Sequence, residues 1–389
     1  MRFTHPDGSD IHLAYCTNVH PAETLDGVVA QLSAHCLPVR RRLGVERLGI
    51  GLWLARESVR ALSASPAALK RLHVELDRCG LEVVTLNGFP YQGFGAREVK
   101  HRVYSPDWRD PRRLEYTLEL ARILSQLLPP DVREGSISTL PLAWRTTFDE
   151  AAAESAHTAL TELALRLDEL EETSGRSIHV AVEPEPGCVV ETTGDALALL
   201  TDLPGHRIGL CLDTCHLATS FEKPASVLAD LDRAGIPTYK VQLSAALHAE
   251  DPRDPAVRRA LAAFDEPRFL HQTRARADGV LHGTDDLGQA LEQGKLPDDV
   301  PWRAHFHVPL HAPPAAPLDS TLDVLCESLA AMVSGVTARC HHFEVETYTW
   351  QALPASARPD TDAQLADGIA AELALARDLL TGLGLKEQQ

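Results

Sequence analysis

Short apolar runs recur along the chain, separated by longer stretches in which apolar residues return every third or fourth position. The runs are IHLAYCTN (11–18), LGIGLWL (48–54), LEVVTLNG (81–88), SISTLPL (136–142), IHVAVEPEP (178–186), IGLCLDTCH (208–216), YKVQLSAA (239–246), AHFHVPLH (304–311) and HFEVETYTW (342–350). Most are near-continuously hydrophobic rather than alternating, which predicts parallel strands covered on both faces. The intervening stretches carry helix punctuation. Ser65-Pro66 and Asp110-Pro111 read as an N-cap followed by proline in the first turn, and Gly80 and Gly235 as stops. Thr147 and Glu150 have capping-box spacing ahead of a long helix that stops near Gly175. Lys223-Pro224 opens another helix, and the last runs from about Asp362 to Leu380.

This alternation predicts either a closed β/α barrel or an open doubly wound sheet. The polar residues decide between them. Nearly every run ends in one: Asn18, Asn87, Glu183 and Glu185, Asp213, Gln242 and Ser244, His307, Glu346. An open sheet gathers its site at one switch point, whereas a barrel gathers strand ends from all round onto one mouth. The expectation is therefore a TIM-type (β/α)8 barrel, α/β in class, spanning residues 1–389 as one domain. Nine strand candidates exceed eight, so one is peripheral or an extra βα unit is inserted. The segments AHFHVPLH and the N-terminal run are the suspects.

Composition narrows the function classes. A formal net charge of −18 argues against a phosphate-backbone partner. The lone basic run Arg40-Arg41-Arg42 suits a helix C-terminus. Eight scattered cysteines with no Cys-x-x-Cys pair, a polar N-terminus and no window long enough to span a membrane predict a reduced, cytoplasmic protein with a small-molecule partner. Self-association is left open.

The strand-end residues supply candidate chemistry. Glu183, Asp213 and Glu346 would meet at a barrel mouth and repel one another unless a cation lay between them. Gln242 adds an amide on the next strand, and Glu344 shares a face with Glu346. Oxygen donors favour Mg²⁺ or Mn²⁺, while nearby histidines keep Zn²⁺ in contention. Asp213 could instead cap the turn that follows it, and His216 could bond a backbone carbonyl. The segment 87–108 combines glycines, aromatic rings (Phe89, Tyr91, Phe94, Trp108) and cations (Arg97, Lys100, Arg102). That mix predicts a lid over the mouth, or else a long packed loop.

On Glu183, Asp213 with His216, Gln242 and Glu346, in that order, the chain resembles the xylose-isomerase-like barrels of the sugar phosphate isomerase/epimerase superfamily. The strings YCTNVHPAE, TLNGFPYQGF, VYSPDW, EPEPGC, LDTCHLA, KVQLSAAL, HFHVPL and VETYTW are similar to the metabolite-traffic proteins of ebo gene clusters. The resemblance implies a divalent metal held by Glu183, Asp213, Gln242 or His307, and Glu346. It also implies proton transfer by Glu183 and Glu346, with His216 orienting a substrate oxygen. Asn87, Tyr91, Lys100, Trp108, His271 and His305 are expected to face the substrate. The implied activity is isomerisation or epimerisation of a small polyhydroxylated or oxo metabolite. Two alternatives stand beside it: a metabolite-binding protein that keeps the metal pocket without turnover, and a metallohydrolase of the apurinic-endonuclease type. Gln242 and the acidic charge disfavour the latter.

Overall fold

A computed structural model describes residues 1–388. Eight parallel strands form the central sheet: β1 (Asp10–Cys16), β2 (Leu48–Trp53), β3 (Leu81–Asn87), β4 (Glu134–Thr139), β5 (Ser177–Val182), β6 (Ile208–Asp213), β7 (Thr238–Leu243) and β8 (His342–Val345). Each pairs with the next, and β8 pairs with β1 through His342↔His12 to Val345↔Tyr15, so the sheet closes into a barrel. Strands Arg2–Thr4 and Lys386–Glu387 extend β1 in antiparallel fashion at its edge.

The strands alternate more than their composition suggests. Ile50, Leu52, Leu86, Ile137, Val180, Val182, Leu210, Val241, Leu243, Phe343 and Val345 pack in the main hydrophobic core. The intervening positions carry small or polar residues: Ala14, Gly49, Gly51, Ser136, Ser138, Ala181, Gly209 and Cys211. These leave room for two long side chains, Lys240 and Glu344, whose Nζ and Oε1 lie 3.1 Å apart with both side chains fully buried. Lys240 Nζ also donates to Leu86 O at 3.4 Å and Ser138 Oγ at 3.5 Å. Gly51 is required here because a Cβ would collide with the Glu344 carboxylate.

Helix punctuation holds at most of the expected points. Ser65 Oγ accepts from Ala68 N ahead of helix Pro66–Cys79, and Gly80 closes it at φ +65°. Asp110 caps Pro111–Leu127, and Gly235 ends Pro224–Ala234 at φ +70°. The expected Thr147/Glu150 capping box is replaced by Asp149, whose side chain accepts from Ala152 N, because Thr147 is still within a 3₁₀ turn.

The ninth strand candidate lies outside the barrel, and no extra βα unit accounts for it. Between β7 and helix Leu322–Val333 the chain makes an antiparallel excursion of five short strands: Leu247–Ala249, Thr273–Ala277, Val280–Thr284, Trp302–Ala304 and Asp319–Ser320. Residues 305–309, the centre of AHFHVPLH, are irregular chain that runs back over the barrel mouth, with Val308 N donating to Ala245 O at 2.9 Å. The eight cysteines are all unpaired. Among the described residues no helix is long and apolar enough to cross a membrane.

Candidate metal centre

Three carboxylates leave the C-terminal ends of β5, β6 and β8. Asp213 is the last residue of β6. Its Oδ1 accepts from Cys215 N (2.7 Å), His216 N (3.0 Å) and Ser244 Oγ (2.6 Å), which turns the chain into the short helix Thr214–Thr219. Its Oδ2 makes no hydrogen bond. Glu183 follows β5 directly, and its Oε2 is likewise unpartnered. Glu346 follows β8, and its Oε1 accepts from Asn18 Nδ2 at 2.7 Å and Asn87 Nδ2 at 2.8 Å. One oxygen from each of the three lies within 4.8 Å of the others, and all three residues are buried. Gln242, in register with Asp213 and Glu344, is fully buried with neither amide atom hydrogen-bonded.

Such a cluster cannot ionise freely. Burial, with the Glu346 and Asp213 charges, pushes Glu183 well above the ordinary carboxylate range. Burial, with Asp213 and Glu344, raises Glu346 to about 8. Burial also works to raise Asp213, but His216, His307 and the Ser244 hydroxyl outweigh it and hold that carboxyl below its usual value. Buried polar atoms are ordinarily hydrogen-bonded. Two orphaned carboxylate oxygens, an orphaned amide and three mutually repelling acids therefore fit a divalent cation bound among oxygen donors.

Three imidazoles stand on the other side of Asp213. The Nδ1–H groups of His216, His305 and His307 donate to Pro184 O (2.8 Å), Gln272 Oε1 (2.7 Å) and Glu346 O (2.5 Å). Their Nε2 atoms converge, with His216 to His305 at 3.0 Å and His305 to His307 at 3.3 Å. Asp213 Oδ2 lies 3.9 Å from His216 Nε2 and 3.8 Å from His307 Nε2. Burial lowers His305 well below the ordinary imidazole value and takes His307 to about 4. His307, expected as an alternative to Gln242, thus groups with the other two rings and Asp213, whereas Glu183 and Glu346 form the acidic side.

No family model matches the sequence, and neither does any curated protein. Solved structures do match in shape. A candidate sugar phosphate isomerase/epimerase of Anabaena variabilis is similar over 97% of this chain and 100% of its own, with TM-score 0.51 and 12% identity. The shared fold is a TIM barrel. A xylose isomerase-like TIM barrel protein from Mycobacterium smegmatis, in complex with magnesium, is similar over 97% of this chain and 94% of its own (TM-score 0.49, 14% identity). A D-allulose 3-epimerase from Methylomonas sp., in complex with D-allulose, covers 97% and 99% (TM-score 0.49, 12% identity).

The barrel mouth holds a cavity of about 60 Å³. Glu183, Glu346, His216, Asn87, Lys100, His305 and His307 all line it. Tyr91, Trp108 and His271 do not. Tyr91 packs its ring on Tyr116 at 4.9 Å, and Trp108 is buried in the main core. His271 is held between Glu266 Oε1 (3.0 Å) and His305 O (2.9 Å). Each of the three is taken up by packing or hydrogen bonds behind the wall. Lys100 is ion-paired with Asp286 of the excursion.

The lid expectation for 87–108 is only half of the roof. Phe94, Val99 and Trp53 cluster with Phe269 from the excursion, and Tyr348 packs against them. Val99 N and Lys100 N both donate to Arg268 O, at 2.7 and 3.1 Å. Sequence reasoning did not single out Tyr104, Gln272 or Tyr348. Tyr104 O–H donates to Glu185 at 2.5 Å and Gln272 Nε2 donates to Tyr104 Oη at 3.0 Å. No motif marks these contacts, because they join segments 81 to 168 residues apart.

Proposed function

We propose that the chain is a metal-dependent isomerase or epimerase acting on a small polyhydroxylated or oxo metabolite. The observation that carries this is the approach of three buried carboxylates from three strands, two with an unpartnered oxygen. Glu183, Asp213 and Glu346, with Gln242 behind them, would hold a divalent cation, Mg²⁺ or Mn²⁺ by the hardness of the donors. When bound, the cation supplies Lewis-acid polarisation of a substrate carbonyl and its neighbouring hydroxyl.

The residues divide the remaining work. Glu183 Oε2 is unpartnered and lies in the acidic cluster at the mouth, so it is placed to take a proton from carbon. Glu346 is fixed through Oε1 by Asn18 and Asn87 and serves as the opposing proton donor. Asp213, held ionised, keeps the local charge negative. Lys100 and Tyr104 line the chamber and meet the substrate's polar edge. A pathway handling a secondary metabolite, as in the ebo-cluster resemblance, is compatible with this chemistry.

A second reading follows from the small size of the cavity. Ligand pockets usually offer about 300–1,000 Å³, and a cavity of about 60 Å³ admits a few waters. A protein that encloses a metabolite and releases it unchanged would share every feature above. Elemental analysis of tag-free protein should find a divalent ion that Asp213→Ala and Glu183→Ala remove with the fold retained. Solvent deuterium entering an aldose, ketose or oxo-acid substrate supports the isomerase. Tight binding without exchange across such a panel supports the carrier, and a metal-free wild type overturns both.

A further inference from the structure

The cavity at the barrel mouth has two unlike halves. Its inner half carries Asn18, Asn87, Glu183, Glu346 and the imidazoles. Its outer half is lined by Phe89, Phe94, Val99, Val103, Phe269 and Leu270, whose side chains bring no donor or acceptor. Phe94, Phe269 and Tyr348 form a triangle of rings. Phe94 lies 5.4 Å from Phe269 and 5.5 Å from Tyr348 between centroids, and Phe269 lies 5.0 Å from Tyr348. Each pair is tilted or edge-on, the geometry in which aromatic rings attract. The backbone carbonyls of this half are already engaged. Phe89 O accepts from Arg113 Nη1 at 3.0 Å, Pro90 O from Trp53 Nε1 at 2.8 Å and Phe94 O from Arg268 Nη2 at 2.9 Å.

Charge points the same way. Lys100 is the one lysine or arginine among the described residues that line the cavity, and its ammonium is ion-paired with Asp286. It can donate a hydrogen bond, but the pair has no net charge with which to hold a phosphate. Glu185 lines the same wall and accepts from Tyr104 Oη at 2.5 Å. Arg268 does not line the cavity, and its guanidinium carbon sits 4.9 Å from the Phe269 ring centroid. A phosphorylated sugar would thus meet carboxylates and no free cation. A free hexose would bury its distal hydroxyls against carbon, without partners. A flat apolar ring would shed water there and stack.

We propose that the substrate is an uncharged hydroxy-ketone or hydroxy-aldehyde with an aromatic far end, and not a sugar phosphate. The oxygenated head lies at Glu183 and Glu346, and the ring lies among Phe94, Phe269 and Tyr348. This rests on the isomerase reading above for the head, and on the separate apolar half for the ring. A cavity of about 60 Å³ is smaller than such a ligand, so the ring displaces part of the roof as it enters.

The test uses tag-free wild-type protein loaded with Mn²⁺ and four probes: hydroxyacetone, which is the head alone; phenylacetylcarbinol, which adds a ring; D-fructose; and D-fructose 6-phosphate. Binding is read by calorimetry, and proton exchange by solvent deuterium entering the carbon that bears the hydroxyl. Phenylacetylcarbinol should bind roughly tenfold tighter than hydroxyacetone, a ratio that one stacked ring supplies. D-fructose 6-phosphate should bind weakest. Phe269→Ser should remove the ring's advantage and leave hydroxyacetone binding unchanged. A ring compound that binds no tighter than hydroxyacetone, or less tightly than either sugar, overturns the inference. So does an advantage unchanged in folded Phe269→Ser. If a sugar binds tightest and exchanges its proton, the isomerase reading stands without the aromatic end. If the ring compound binds tightest and no probe exchanges, the aromatic end stands and the isomerase reading gives way to the carrier. The ranking is measured on wild type, so misfolding of the variant does not blunt it.

Discussion

Asp213 divides its two oxygens between structure and chemistry. Oδ1 caps the helix that starts at Thr214, while Oδ2 is buried without a hydrogen-bond partner. The same holds for His216, whose Nδ1 bonds a backbone carbonyl while Nε2 faces inward. Deeper in the barrel, Lys240 and Glu344 form a fully buried pair. Removing one partner of such a pair typically costs 3–5 kcal/mol. Lys240→Met should lower urea-unfolding stability by about that much, and adding Glu344→Leu should recover most of it. Glu372 gives a pH signature. Burial raises its carboxyl to about 7, even though Leu310 N, Thr347 Oγ1 and Trp350 Nε1 donate to it. Its folded value lies above its unfolded one, so the native state holds the extra proton. The associated stability is complete below pH about 4.5 and is lost as pH rises through about 7. Relative to Glu372→Gln, the wild type should lose on the order of 3 kcal/mol between pH 4.5 and 8, read from denaturant midpoints. The site acids were legible because each follows an apolar strand. Lys240 was not singled out, since one lysine in YKVQLS looks like an edge polar residue until the barrel closes around it.

At the scale of elements, eight strands were legible from their apolar runs, but their ends were not. The runs 178–186, 208–216 and 342–350 overshoot strands that stop at Val182, Asp213 and Val345, because the site residues continue the pattern into the loops. The excursion after β7 was read as a ninth strand. Its clearest signal was the Asp278-Gly279 pair between Thr273–Ala277 and Val280–Thr284, a two-residue hairpin turn with φ of +49° and +79°. His305 and His307 therefore looked like strand residues and are loop residues instead. The roof is a small apolar cluster, with Phe94 and Phe269 ring centroids 5.4 Å apart. Local opening free energy is low where few apolar contacts hold a segment. Phe94→Ala should raise amide hydrogen exchange in 93–104 and 266–272 at least tenfold and leave β4–β6 unchanged. Unchanged exchange in both segments would mean that the ion pair of Lys100 with Asp286 and the Arg268 backbone contacts hold the roof unaided.

For the whole molecule, bound cations and folding are linked. Three acids confined at the barrel mouth repel one another in the empty state. An ion that binds only the folded chain adds about 2.7 kcal/mol at a hundredfold excess over Kd. Exhaustive chelation should lower Tm by several degrees, and Mn²⁺ or Zn²⁺ should restore it. A Tm unmoved by either treatment would count against metal binding altogether. The excursion after β7 carries a further consequence. It supplies two of the three imidazoles, the Gln272 that orients one of them, and the Arg268, Phe269 and Asp286 that fasten the roof. Latch and ceiling are thus one ribbon of chain, anchored at both ends to neighbouring staves of the barrel. Lifting it to admit a guest would draw His305 and His307 away from Asp213, so opening the doorway and dismantling that wall of the site would be one movement.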